Sequence, residues 1–151
     1  MITVTKHYGF EACHHLPHYD GACANLHGHS YKLDVTIGGR IITDKDNPKQ
    51  GMILDFKDLK NIINEVVVEK YDHSNLNDFF ENPTAELMVK QIAVDIIERL
   101  PKDTYLVSCK LWETESSYAE FSGLYDNLLN RVSELERLFK YADNDTLRPA
   151  T

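Results

Sequence analysis

Two stretches of alternating apolar and polar positions predict strands near the start of the chain. Residues 2–10 are rich in β-branched and aromatic side chains, and residues 31–37 alternate without a break. A period of two residues is typical of a strand with one buried face, so the two segments are predicted to pair as a hairpin. About twenty residues separate them, which is long for a compact domain unless the loop has a function.

Apolar residues then recur at helical spacing in two segments. A first helix is predicted after Asp55, which can cap it, with apolar positions at Phe56, Leu59, Ile62, Ile63, Val66 and Val67. A second helix is predicted with Asn82 as its cap and Pro83 at its first position, ending before Pro101. The two helices therefore follow the two strands directly in the chain.

The alternation returns in Thr104–Thr114, and residues 118–122 can form its hairpin partner across a turn at residues 115–117. Val107, Cys109 and Leu111 are predicted to face the core. The order ββααββ predicts an α+β fold, with an antiparallel sheet and two helices on one face. Beyond residue 123, helical spacing predicts one more helix and then a loose tail, which divides the chain into a domain at 1–123 and an extension at 124–151.

Composition narrows the classes of function. The 151 residues carry a formal net charge of −8, which argues against nucleic acid or an anionic membrane surface as a partner. No apolar run approaches the roughly 20 residues of a membrane span, and the N-terminus lacks the features of a signal peptide, so a cytoplasmic protein is expected. Three cysteines without a C-x-x-C pair predict neither a disulfide framework nor a thiolate zinc site. Cys13 and Cys109 are predicted to be core thiols.

The long loop holds five of the seven histidines. His27 and His29 are separated by one glycine at the entry to a strand, where residues two apart share a face, so both imidazoles can reach one ion. His14, at the end of the first strand, would lie across the hairpin and complete a three-histidine set of the kind that catalytic zinc uses. The alternative is a group of polar loop histidines without a metal. His15 and His18 are spare candidates.

Four further residues carry candidate chemistry. Cys23 can be a metal ligand, a base or nucleophile, or an inert thiol. Asp72 and His73 can polarise a thiol, although they can equally be a plain surface helix end. Glu113 closes a predicted strand, where its carboxylate can grip the edge of a heterocycle through two hydrogen bonds or simply lie exposed.

Six short motifs, taken in order, resemble the 6-pyruvoyltetrahydropterin synthase superfamily over residues 2–123. They are FEACHHLPH, CANLHGHSY, MILDF, YDHSNLND, NPTAE and WET. The ββααββ order is also similar to the tunnelling fold of that family, in which subunits join their sheets into a barrel. The resemblance implies a homo-oligomer, a hexamer in this family, with active sites at subunit interfaces.

The resemblance also implies a role for each of the motif residues. The implied zinc ligands are His14, His27 and His29. The implied proton-abstracting thiol is Cys23, with Asp72 and His73 as its relay partners. The residues implied to lie against a pterin are Glu113, which anchors the ring, together with Thr84 and Glu86.

Three residues separate Cys23 from His27. This spacing resembles the 6-carboxy-5,6,7,8-tetrahydropterin synthase branch of the superfamily, which serves queuosine and 7-deazaguanine biosynthesis. The implied activity is that of a zinc-dependent carbon-carbon lyase, which converts 7,8-dihydroneopterin triphosphate to 6-carboxytetrahydropterin with release of acetaldehyde and triphosphate. The alternatives are the 6-pyruvoyltetrahydropterin synthase reaction, which eliminates triphosphate only, and a non-catalytic module that binds pterin or zinc.

Overall fold

The computed structural model describes residues 2–123, and the predicted C-terminal helix and tail at 124–151 lie outside that range. Its strands are β1 (Thr3–His14), β2 (His27–Gly39), β3 (Ser74–Asn75), β4 (Thr104–Thr114) and β5 (Ser117–Ser122). Its α-helices are α1 (Phe56–Ile63), α2 (Glu69–Tyr71) and α3 (Ala85–Ile97). The short 3₁₀ turns are Ala22–Ala24 and Leu76–Asp78.

The strands form one sheet in the order β3-β1-β2-β4-β5. β1 and β2 make the predicted hairpin, in register from Thr3 opposite Gly38 to His14 opposite His27. The predicted α+β order is confirmed, with one addition: β3 pairs with β1 in parallel, so the sheet is mixed. β3 is only two residues long, which is too short to show a period in the sequence.

The core lies between one face of the sheet and the helices. Strand β2 contributes Tyr31, Leu33, Val35 and Ile37, all almost fully buried. The helices meet them with Leu59, Ile63, Met88, Ile92 and Ile96. Successive side chains of a strand point to opposite faces, so the other face of the sheet carries polar residues such as His7, Lys32 and Asp34.

The first helix begins where the sequence predicts, because the side chain of Asp55 accepts a hydrogen bond of 2.8 Å from the amide of Lys57. It is not one regular helix, however. The backbone widens into a π turn at Asn64–Val68 before α2 completes the segment. Within residues 2–123, no helix is long and apolar enough to cross a membrane.

The second predicted helix starts later than expected. Its cap is Thr84, whose hydroxyl accepts from the amide of Leu87 at 3.4 Å, and not Asn82. Asn82 instead closes a turn, since its carbonyl accepts from the Thr84 amide at 2.8 Å. The carbonyl of Pro83 points away from the helix and is used by His14.

One prediction for β4 was wrong. The β2–β4 register shifts between Thr36 and Ile37, which marks a bulge. A bulge changes which residues face the core, so Leu106 is buried together with Cys109 and Leu111, while Val107 is partly exposed. Simple alternation cannot anticipate such an extra residue.

Within residues 2–123, the sheet has an open strand edge at each end of its strand order. β3 covers β1 only at Ala12 and Cys13, so most of the outer edge of β1 has no partner strand in the described chain. β5 forms the opposite edge. Edge strands present free backbone donors and acceptors that can pair with another strand.

Candidate metal centre and active site

Three imidazoles meet at the end of the β1–β2 hairpin. The register places His14 directly opposite His27 and Ala12 opposite His29, so all three histidine side chains project from the helix-covered face. One ring nitrogen from each lies within 4.8 Å of the others. The structure therefore brings together the three predicted ligands, at the separation that one metal ion can span.

Backbone carbonyls fix the tautomers of two of these rings. The Nδ1 atom of His14 lies 2.8 Å from the carbonyl oxygen of Pro83, and Nδ1 of His27 lies 2.7 Å from that of Asn25. A carbonyl only accepts hydrogen bonds, so each Nδ1 carries the proton and each neutral ring keeps a lone pair on Nε2. Such outer hydrogen bonds are typical of metal-ligating histidines.

Within residues 2–123, no donor group of the protein satisfies the three inward nitrogens. Nε2 of His14 and Nε2 of His27 lie 3.1 Å apart, so two lone pairs face each other. Nε2 of His29 is buried and has no hydrogen-bond partner among the described residues. Buried polar atoms without partners are costly, and a cation between the three nitrogens removes that cost. The donor set therefore fits a divalent metal, and three imidazoles suit zinc.

The electrostatics also favour the neutral, ligating form of His29. Burial lowers the pKa of His29 below its usual value. The carboxylate of Glu113 opposes this by raising the pKa, and the neighbouring imidazoles of His14 and His27 lower it again. The net direction is downward, so His29 stays unprotonated to a lower pH than a free histidine does.

Glu113 lies beside the histidines at the end of β4. Its Oε1 atom is 3.5 Å from Nε2 of His14 and 3.9 Å from Nε2 of His29. Its side chain is 31% exposed, so the carboxylate is also open to a ligand. Glu113 thus lies both beside the three histidines and at the surface where a ligand can reach it.

Glu113, Thr84 and Glu86 line one cavity of about 370 Å³. Thr84 caps α3, and Glu86 is in its first turn. Leu16, Tyr19 and Tyr118 complete much of the wall. The three residues with an implied role against the pterin therefore share a single cavity next to the metal centre.

Cys23 lies on the 3₁₀ turn Ala22–Ala24, between the strands that carry the histidines. Its carbonyl accepts a hydrogen bond of 2.8 Å from the amide of Leu16, and its side chain is half-buried. Two residues later, the carbonyl of Asn25 holds His27. The backbone around Cys23 is thus tied to the ends of both histidine-bearing strands.

Asp72 and His73 form a pair of their own at the β3 side of the sheet. One oxygen of Asp72 accepts from the Glu11 amide at 2.9 Å, and the other is 3.0 Å from Nδ1 of His73. The amide of His73 donates to the carbonyl of Glu11, at a residue with φ of 56°. The Glu11 amide is the main cause that lowers the pKa of Asp72, so the carboxylate remains charged.

Among residues 2–123, no hydrogen bond or ion pair joins this pair to Cys23. Asp72 and His73 are fixed to Glu11, whereas the backbone of Cys23 is fixed to Leu16, which lies past the end of β1. A strand rises roughly 3.3 Å per residue, so the stretch from Glu11 to His14 alone spans about 10 Å. His73 lines a cavity of about 460 Å³ that His29 also lines, separate from the cavity of Glu113.

The prediction that Cys13 is a core thiol was wrong, and the prediction for Cys109 is confirmed. Cys109 is fully buried. Cys13 is half-buried on the sheet face opposite His14, and its thiol donates to the Ser74 carbonyl at 3.6 Å. Ser74 belongs to strand β3, which the sequence did not predict, so the partner of this thiol was not foreseen either.

The spare histidines stay outside the cluster in the described chain. The backbone of His15 exchanges two hydrogen bonds of 2.9 Å with the side chain of Asn77, and His18 is exposed. Sequence reasoning missed Asn77, Asn25 and Pro83 as supporting residues. None of the three left a signal in the sequence, because each acts through a contact that only the fold creates.

The fold and the site define a member of an enzyme family, and comparison with known proteins identifies it. The profile of the 6-pyruvoyl tetrahydropterin synthase family matches residues 3–124. The chain belongs to this family, as its motifs predicted.

Individual relatives agree with the family match. A 6-carboxy-5,6,7,8-tetrahydropterin synthase from Haemophilus influenzae is 36% identical over 141 residues, covering 80% of this chain and 99% of that protein. A 6-pyruvoyl tetrahydrobiopterin synthase from Dictyostelium discoideum is 35% identical, covering 68% and 75%. The solved structure of the Caenorhabditis elegans 6-pyruvoyl tetrahydropterin synthase superposes with a TM-score of 0.68 at 25% identity, covering 81% and 95%.

Proposed function

We propose that the chain is a zinc-dependent lyase that converts 7,8-dihydroneopterin triphosphate to 6-carboxy-5,6,7,8-tetrahydropterin, releasing acetaldehyde and triphosphate. The observation that carries the proposal is the three-histidine centre, with Cys23 separated by three residues from the His27-Gly28-His29 triplet. The 6-carboxytetrahydropterin synthase from Haemophilus influenzae, aligned over 80% of the chain, supports the same branch. From that resemblance we further propose a cytosolic enzyme of queuosine and 7-deazaguanine biosynthesis.

In this proposal His14, His27 and His29 hold the zinc ion through their Nε2 atoms, which are the inward ring nitrogens. Bound zinc supplies Lewis acidity to the side-chain hydroxyls of the substrate. The carbonyls of Pro83 and Asn25 keep the His14 and His27 rings oriented, because each accepts the Nδ1 proton.

Glu113 holds the pterin ring in the adjoining cavity, with Thr84 and Glu86. A carboxylate accepts two parallel N–H bonds from a guanidine-like edge. The Glu113 carboxylate lies within 4 Å of the imidazoles of His14 and His29. A pterin bound to Glu113 therefore has its own side chain close to the metal. This contribution is one of positioning.

Cys23 takes and returns the protons in this proposal. Asp72 and His73 set its protonation, with the charged Asp72 orienting the imidazole as a carboxylate does in other triads. Because Cys23 and this pair are fixed to separate parts of one chain, the relay is completed by the Asp72 and His73 of a neighbouring subunit.

The open sheet edges support such an assembly. Joining the β5 edge of one copy to the β1 edge of the next is a head-to-tail contact, which closes a ring when the rotation permits. The polar sheet face, with residues such as His7 and Lys32, then lines the inside of that ring. We propose a homo-oligomer, a hexamer by family resemblance, with active sites at the subunit interfaces.

Product analysis tests the activity. The purified protein, loaded with zinc, is expected to release acetaldehyde and a carboxylated pterin from 7,8-dihydroneopterin triphosphate. Formation of 6-pyruvoyltetrahydropterin without acetaldehyde would reject the proposed branch in favour of triphosphate elimination alone. Binding without any turnover would favour a non-catalytic module.

Shared sites predict complementation between two inactive variants. Subunits with Cys23→Ala and subunits with His73→Ala, co-expressed with different tags and purified through both, are expected to recover about a quarter of wild-type turnover. The reason is that about one site in four then takes both intact residues from different subunits.

The control for this experiment is Cys23→Ala subunits carrying both tags, which are expected to stay inactive. Mixed assemblies as inactive as their parents would contradict the shared site, and would mean that Cys23 and His73 act within one chain.

A further inference from the structure

One exposed aromatic residue lies beside the polar anchors of the cavity next to the metal centre. Tyr19 is 52% exposed, yet it lines the cavity that contains Glu113. We propose that Tyr19 is a substrate-binding residue that packs against the face of the pterin ring. This inference rests on the proposed pterin chemistry and adds a residue to it.

The sequence around Tyr19 holds its ring in place. A Cβ atom at Gly21 would lie only 2.5 Å from Cε1 of Tyr19, so the ring occupies the space that a side chain there would need. Gly21 has φ of −118° and ψ of −169°, an extended backbone that any residue adopts. The glycine therefore leaves room for the tyrosine ring in this position, and a Cβ there would displace the ring.

The turn around Tyr19 also links it to the thiol. The amide of Tyr19 donates to the carbonyl of Leu16 at 3.2 Å, and the amide of Leu16 donates to the carbonyl of Cys23. Gly21 directly precedes the 3₁₀ turn that carries Cys23. A ring bound against Tyr19 is thus located relative to Cys23 through two hydrogen bonds and one packing contact.

Tyr118 also lines this cavity, but its ring lies on the other face of the sheet. The ring centre lies 4.3 Å from that of Trp112, its cross-strand partner, and Nζ of Lys110 lies 4.8 Å from it. The indole N–H of Trp112 donates to Asp34 at 2.9 Å, and Asp34 belongs to the polar face of the sheet. The stacking role is therefore assigned to Tyr19 alone.

A pterin matches both the polar side chains and the aromatic ring of Tyr19 that line this cavity. Its edge carries donors and acceptors for Glu113, Glu86 and Thr84, but those groups make no contact with the flat faces. Aromatic rings stack on such faces, and stacking of a heteroaromatic base on a side chain is worth roughly 10-fold or more in affinity. Tyr19 therefore supplies selectivity for a planar ring that the carboxylates cannot.

Neopterin, a fluorescent pterin without phosphates, tests the inference. Tyr19→Leu is expected to raise both the Kd for neopterin and the KM for the triphosphate substrate by roughly 10-fold, with bound zinc unchanged. Tyr19→Phe keeps the face and is expected to bind like wild type. Gly21→Ala keeps the ring but displaces it, and is expected to weaken binding in the same direction as Tyr19→Leu. Phe56→Leu is the matched control, because Phe56 is 51% exposed and lines no part of this cavity.

The outcomes separate this inference from the proposed function. Equal neopterin affinity in wild type and Tyr19→Leu would overturn the role of Tyr19 while leaving the lyase proposal intact. Neopterin binding that depends on Tyr19, in a protein that releases no acetaldehyde, would support the aromatic wall and reject the lyase. A wild-type protein that neither binds neopterin nor releases acetaldehyde would overturn both.

Discussion

Replacing Cys23 with alanine is expected to lower kcat roughly 10³-fold, the range in which a positioned acid–base group contributes. The reason is that the half-buried thiol lies on the turn between the two histidine-bearing strands and is the proton-transferring group of the proposed mechanism. The zinc content and the affinity for neopterin are expected to stay at wild-type levels. Steady-state kinetics, metal analysis and fluorescence titration on the same sample measure all three.

Cys13→Ala is the matched control for that experiment. Its thiol is also half-buried and adjacent to a histidine ligand, but it lies on the opposite face of the sheet and bonds only the Ser74 carbonyl. It is expected to retain turnover. Loss of zinc in Cys23→Ala would contradict the role of Cys23 as a base, and would make it a fourth ligand. Full activity in Cys23→Ala would favour a binding module.

Replacing His27 with alanine is expected to remove both zinc and turnover. Losing only an outer partner of a metal-ligating histidine typically costs 10- to 100-fold in metal affinity, so loss of the ligand itself is expected to cost more than about 100-fold. His27 is half-buried, unlike His14, and its removal leaves the core untouched. Competition with a chromogenic chelator measures the affinity, and circular dichroism reports the fold.

His18→Ala is the control for the metal experiment. His18 belongs to the same histidine-rich loop but is exposed and lies outside the cluster of three rings. It is expected to bind zinc like the wild type. If His27→Ala bound zinc as tightly as the wild type, the Nε2 atoms of His14 and His27, which lie 3.1 Å apart, would not be metal ligands.

Local sequence patterns were enough to predict the elements that build the site. Alternation located the β1–β2 hairpin, and the spacing of His27 and His29 on one strand was enough to put both on one face, with His14 across the pair. Strand geometry makes this inference safe, because side-chain direction depends only on parity and register.

Other features depend on contacts between distant parts of the chain. The cap at Thr84 comes with a contact that no local pattern contains, since the preceding Pro83 carbonyl lies against His14, 69 residues away in the chain. The burial of Leu106 in place of Val107 depends on a bulge at Val107 in β4. The half-burial of Cys13 beside Ser74 depends on β3, which has no periodic signal.

The candidate site divides in the same way. Its residue types could be assigned from motifs, but the separation of Cys23 from Asp72 and His73 became visible only once Leu16 and Glu11 were identified as their fixed points. The role of Gly21 was equally hidden. A glycine with ordinary backbone angles carries no conformational signal. Its contact with the ring of Tyr19, which fills the space of a Cβ atom, is visible only in the structure.

The hydrogen bond from His14 to the Pro83 carbonyl would couple the two proposed binding events thermodynamically. Pro83 immediately precedes Thr84, with Glu86 two residues further on, so the ring proposed to hold the metal is joined to the segment proposed to hold the pterin. Free energy that fixes His14 also orders the start of α3. By linkage, a metal that strengthens pterin affinity through this bond must itself be bound more tightly, by the same factor, when the pterin is present. The enzyme then retains its metal best while substrate occupies the site.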